Sequence, residues 1–167
     1  VLSRVFEHRF ENGTGLAGHS LGNLILAAMK DITGDFVTGV KELSRVLAVR
    51  GRVLPASAQA IVLKAEMEDG TIVSGESQIP KSGKKIKRVF VDQDGITPLE
   101  ESIHALQEAD AILMGPGSLY TSILPNLLVP GIARTIIESS ALKIFVCNVM
   151  TQPGETDDYT VFDHLDA

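Results

Sequence analysis

The chain reads as an α/β protein built around a doubly wound sheet. Three observations predict this. In the last third, amphipathic helical segments alternate with short apolar runs. Those runs, Ala111–Met114 and residues 143–149, have the composition of parallel strands buried on both faces. Each ends in a glycine-containing loop rich in hydroxyls, where sheets of this kind bind ligands.

The elements follow in order. Residues 20–33 predict a helix, because Leu21, Leu24, Ile25, Ala28, Met29 and Ile32 recur at the spacing of one helical face. Ser20 can cap its start and Gly34 its end. Leu26 falls off that stripe and suggests burial on a second side. Residues 36–47 predict a second helix capped by Asp35, so the pair should form an αα-hairpin packed on a sheet. The period then changes. Ile61, Leu63, Ala65 and Met67 alternate with Lys64 and Glu66, Asp69-Gly70 supplies a turn, and residues 71–74 return. This predicts a β-hairpin. Residues 80–85 form a polar loop, residues 86–91 a strand, 99–109 a helix and 131–139 another helix.

With 167 residues, the chain suits a single domain. Lys and Arg total 15 against 21 Asp and Glu, a net charge of −6, which argues against a nucleic-acid partner. Cys147 is the single cysteine, so no internal disulfide can form. It follows Ile144-Phe145-Val146 and should be buried; one thiol fits a reducing, cytoplasmic setting. No apolar run approaches the roughly 18 residues of a membrane span, and the first residues do not read as a signal peptide.

Three stretches carry candidate chemistry. In Gly115-Pro116-Gly117-Ser118-Leu119-Tyr120-Thr121-Ser122, small residues leave room for close backbone approach, and a helix start with hydroxyls favours phosphate oxygens. An ordinary strand-to-helix turn fits the same residues. The loop is neither a Walker A sequence nor a dinucleotide fingerprint. In Thr151-Gln152-Pro153-Gly154-Glu155-Thr156-Asp157-Asp158-Tyr159, Asp157 and Asp158 are the carboxylates that could hold magnesium, and a solvated acidic loop is the plain alternative. Gly18-His19-Ser20-Leu21-Gly22-Asn23 offers His19 and Asn23 near a helix start. No paired-Cys or His-x-x-x-His spacing points to zinc, and no nucleophile elbow exists. Asp92, Gln93 and Asp94 before Gly95 read as a turn rather than a calcium loop.

Four segments carry a resemblance: residues 18–24, residues 49–56, the long run from Gly115 to Ile132, and Cys147-Asn148-Val149-Met150-Thr151-Gln152-Pro153-Gly154-Glu155-Thr156. Together they resemble the YvcK, or gluconeogenesis factor, group of the CofD-like superfamily. The resemblance implies a three-layer, Rossmann-like sheet with helices on both faces plus a β-hairpin insertion. It implies one CofD-like domain over residues 1–167, a fragment without the family's N-terminal glycine-rich strand–loop unit and C-terminal end. It also implies binding of a UDP-sugar, notably UDP-N-acetylglucosamine, and a regulatory role in gluconeogenic growth, cell shape and cell-wall supply. On this reading Gly115, Pro116, Gly117, Ser118, Thr121, Ser122, Asn148, Thr156, Tyr159, Asn23 and His19 form the phosphate and sugar site. No catalytic residue and no certain cofactor is assigned, and a homo-oligomer is a candidate assembly. The CofD branch offers the alternative: a magnesium-dependent transferase moving a phospholactyl group from a nucleoside diphosphate donor to a deazaflavin. That branch tends to carry Gly-Pro-Ser-Asn where this chain has Gly115-Pro116-Gly117-Ser118, which favours the first reading.

Overall fold

The computed structural model describes residues 2–12, 14–92 and 94–167; Gly13 in the Glu11–Gly15 stretch and Gln93 lie outside the described residues. The chain divides into residues Val1–Pro55 and Ala56–Ala167.

The first unit is helical. Helix α1, Leu2–Glu7, was not foreseen in the sequence. Helix α2 spans Leu21–Thr33 and α3 spans Phe36–Val46. Both caps act as expected: Ser20 Oγ accepts from the Asn23 amide, and Asp35 accepts from the Thr38 amide at 2.7 Å. Gly34 ends α2 in the left-handed conformation. Leu26 is half-buried, as its off-stripe position suggested, but Ala28 and Ile32 are exposed.

The second unit holds two small sheets instead of one doubly wound sheet. Strands β1, Leu63–Met67, and β2, Ile72–Ser74, form the expected hairpin. Leu63, Ala65 and Met67 are buried while Lys64 and Glu66 face outward, as the alternation required. The turn closes through Gly70 N–H to Met67 O and Thr71 N–H to Asp69 Oδ1. Strand β3, Ile86–Val91, pairs antiparallel with β1, so the hairpin belongs to a three-stranded sheet in the order β2-β1-β3. Its apolar face gathers Met67, Ile79, Ile86, Leu119 and Tyr120 into one core.

The other sheet is a parallel pair: β4, Ala111–Met114, and β5, Leu142–Phe145. Its core gathers Ile112, Val129 and Ala141 with Ile132 and Ile136 of helix α6, Ile132–Glu138, and helix α4, Glu100–Gln107, packs Ile103 and Leu106 against it. The expectation of strands buried on both faces is corrected. Ile112 is covered, but Leu113 is 62% and Leu142 65% exposed. Side chains alternate along a strand, and the described residues of this unit cover only the Ile112 face. Strand β5 also stops four residues short of the expected end. Cys147 is only half-buried. Among the described residues, no helix is long and apolar enough to cross a membrane.

Candidate functional site

Parallel pairing puts the carboxyl ends of β4 and β5 side by side, and the Val146 amide extends the ladder to Met114 O at 2.9 Å. Their two loops therefore leave the sheet together. The first turns sharply at Gly115, with φ 90° and a cis bond to Pro116. A Cβ on Gly115 would lie 2.7 Å from Val146 O, so this glycine is required by the neighbouring strand rather than by a ligand. Gly117 differs: it has no positive φ, and a Cβ there would meet only ordinary contacts at 3.6 and 3.7 Å. A π-helical turn, Leu119–Ile123, and helix α5, Leu124–Leu127, follow. The second loop ends at helix α7, Val161–Asp166, capped by Thr160.

Side chains of the second loop brace the first. Asn148 grips the Gly117 backbone: Nδ2 donates to Gly117 O at 2.8 Å and Oδ1 accepts from Gly117 N–H at 3.3 Å. Asn148 Nδ2 also donates to Gln152 Oε1 at 3.3 Å. Gln152 Nε2 in turn donates to Ser118 Oγ at 2.9 Å. Gln152 is itself held by its own N–H on Thr156 Oγ1 at 2.9 Å, and Thr156 is fully buried. Thr121 Oγ1 donates to Glu155 Oε1 at 2.8 Å. Tyr120 and Tyr159 share a hydroxyl–hydroxyl bond of 2.7 Å. Burial, then the bond to Tyr159, pushes the Tyr120 phenol well above its ordinary range, so it stays protonated at neutral pH.

The arrangement revises several expected roles. The Gly117 amide, expected to face a ligand, is engaged by Asn148, although over a long bond. The Ser122 amide donates to Ser118 O. The Thr121 hydrogen is spent on Glu155, so its hydroxyl offers lone pairs rather than a donor. By contrast, the amides of Leu119, Tyr120 and Thr121, in the first turn after Ser118, have no acceptor among the described residues. Pro116 and the Ser122 side chain are exposed beside them.

Gly115, Pro116, Gly117, Ser118, Thr121, Ser122, Asn148, Thr156 and Tyr159 thus belong to one pair of facing loops. His19 and Asn23 stand at the start of α2 in the first unit, both exposed. Asp157 is exposed, with Oδ2 accepting from the Gly154 amide at 2.8 Å, and Asp158 is an exposed residue at φ 63°. No group of three or more His, Cys, Asp or Glu side chains suited to a metal exists among the described residues. Gln152, Glu155 and Tyr120 were missed as site residues. Glu155 is 8% exposed, and its Oε2 has no partner among the described residues; the same holds for Nε2 of His164, whose ring packs edge-on against Tyr159 at 5.5 Å. Their spacing in the sequence carries no signal for these contacts, which join segments about 34 residues apart.

Two strand-end loops cross-braced in this way define an α/β protein with one candidate site at the carboxyl ends of its parallel strands. Residues 1–167 match the family described as 2-phospho-L-lactate transferase CofD, and the chain belongs to that family. It is similar to the gluconeogenesis factor of Halalkalibacterium halodurans, with 64% identity over 100% of this chain and 52% of that protein. The gluconeogenesis factor of Bacillus subtilis is 61% identical over 100% of this chain and 53% of its own length. A crystal structure of a Bacillus halodurans protein superposes with a TM-score of 0.90 at 64% identity, covering 99% of this chain and 53% of that one. The chain spans about half the length of these relatives. The resemblance read from the sequence therefore holds.

Proposed function

We propose that this chain supplies a diphosphate-binding loop to a nucleotide-sugar-binding regulator, with UDP-N-acetylglucosamine as ligand, acting in the cytoplasm on gluconeogenic growth, cell shape and cell-wall supply. One observation carries the reading. The turn after Ser118 leaves the amides of Leu119, Tyr120 and Thr121 without acceptors among the described residues, on a loop held in place by Asn148, Gln152 and Glu155. Such amides favour phosphoryl oxygens. The relatives named gluconeogenesis factor support the link to gluconeogenic growth. Binding without turnover is favoured because the partner of Ser118 is an amide, which cannot take its proton. Calorimetric titration with UDP-N-acetylglucosamine tests the proposal; saturable heat is expected, and the absence of both heat and thermal stabilisation at millimolar ligand would reject it.

The family match favours a second reading, a transferase that moves a phospholactyl group to a deazaflavin-like acceptor. It requires magnesium-dependent binding of a nucleoside diphosphate and product formation. Asp157 and Asp158 are its candidate magnesium ligands, although Asp157 Oδ2 already closes the turn at Gly154. Turnover with magnesium and no turnover with EDTA would establish it over the first.

A further inference from the structure

The donor and acceptor senses of the braced loop are fixed by a chain of unambiguous partners. A backbone N–H can only donate and a carbonyl can only accept. Asn148 contacts both on Gly117, so its amide has one permitted orientation: Oδ1 on the N–H and Nδ2 on the carbonyl. That orientation aims Nδ2 at Gln152 and obliges Gln152 to answer with Oε1. Gln152 Nε2 is then left to face Ser118 Oγ, 2.9 Å away. A serine hydroxyl has one hydrogen and two lone pairs. One lone pair is taken by Gln152, so the hydrogen is free to point elsewhere, and it has no acceptor among the described residues. Ser118 is only half-buried, so a ligand can reach it. Thr121, three residues on, has the opposite sense, because its hydrogen goes to Glu155. The buried Glu155 leaves Oε2 without a partner, a second unmet polar group on the same braced loop pair.

We infer that Gln152 is a positioning residue, set through Asn148 by the Gly117 backbone, that holds the Ser118 hydroxyl as a donor toward an anionic oxygen of the ligand. This rests on the binding reading above and deepens it: Ser118, not Thr121, is the hydroxyl that meets the phosphoryl group.

The test is a double-mutant cycle on the full chain, with UDP-N-acetylglucosamine as the probe in calorimetry. Gln152→Glu keeps the shape and the bond from Asn148 but replaces the donor with an acceptor. The Ser118 hydrogen then turns back onto the new carboxylate. Ser118→Ala removes the hydroxyl. Each is expected to weaken binding about tenfold or more, the usual weight of a hydrogen bond to a charged group. The Gln152→Glu loss, relative to wild type in the same buffer, should persist at 1 M salt, where direct repulsion by the new charge is screened. The double variant should be no weaker than the worse single variant at that salt. Thermal melts within a few degrees of wild type show that each variant is folded. If Gln152→Glu binds like wild type at 1 M salt, or if the two losses multiply, the assignment is overturned while the binding reading stands. If the wild-type chain binds no UDP-N-acetylglucosamine, both fall.

Discussion

Replacing Gly154 with alanine should cost far more stability than the same replacement at Gly117. Gly154 has φ 81°, and an ideal Cβ on it would lie 2.2 Å from Pro80 O and 3.0 Å from Pro80 C. Pro80 begins a short 3-10 turn, Pro80–Ser82, so the obstructing atoms are backbone and cannot swing aside. Left-handed backbone costs a residue with a Cβ about 1–2 kcal/mol. Relief of overpacking adds about 1–3 kcal/mol. Restricting the unfolded chain returns about 0.4–1 kcal/mol. The net is roughly 2–4 kcal/mol. At about 2–4 °C per kcal/mol for a chain of this size, the melting temperature should fall by several degrees, to about 15 °C at most. Urea denaturation followed by circular dichroism reads the same change as a lower midpoint with an unchanged slope. Gly117→Ala is the control, because its Cβ has room and its φ is ordinary; its midpoint should move by less than about 0.5 kcal/mol. A Gly154→Ala protein as stable as wild type would refute the reasoning, since it would mean that the loop does not pass against Pro80.

Gly117→Val should weaken UDP-N-acetylglucosamine binding at least tenfold in calorimetry, while melting far closer to wild type than Gly154→Ala. Met67→Ala should cost about 2–5 kcal/mol in urea titration, because Met67 is fully buried in the antiparallel-sheet core. Asn148→Ala strips both partners from the Gly117 backbone and should cost about 1–3 kcal/mol by the same measurement. Stability should fall as pH drops through the carboxylate range. The side-chain bond from Lys84 holds Asp69 well below its ordinary pKa, the bonds from Lys87 and Arg88 do so for Glu66, and those from Thr38 and Thr160 do so for Asp35 and Asp163. A depressed folded-state pKa means that the unfolded chain binds protons first, so the stabilisation is complete above about pH 4 and lost below it. Melting temperatures between pH 7 and pH 3 check this, and Asp69→Asn should flatten the acid limb.

Much of the local structure was legible because local chemistry decides it. Ser20 and Asp35 cap their helices through amides three residues away. The β1–β2 hairpin needs only its alternation and Asp69-Gly70. The loops were visible as glycines and hydroxyls after apolar runs. The roles inside those loops were not legible. Thr121 was chosen and Glu155 stands next to the chosen Thr156, yet the bond between them spans 34 positions.

The sequence by itself determined most of the elements, the caps of α2 and α3, and the family, since periodicity and capping act within a few residues and the longest motif is contiguous. Tertiary structure decided the rest. It joined β3 to the hairpin, and it left one face of the parallel pair open in its unit. It also set which hydroxyl donates. Hydrogen-bond sense at Ser118 depends on Asn148 and Gln152, some 30 residues further on, and only folding brings an acceptor-only carbonyl and a donor-only amide to bear on that distant side chain.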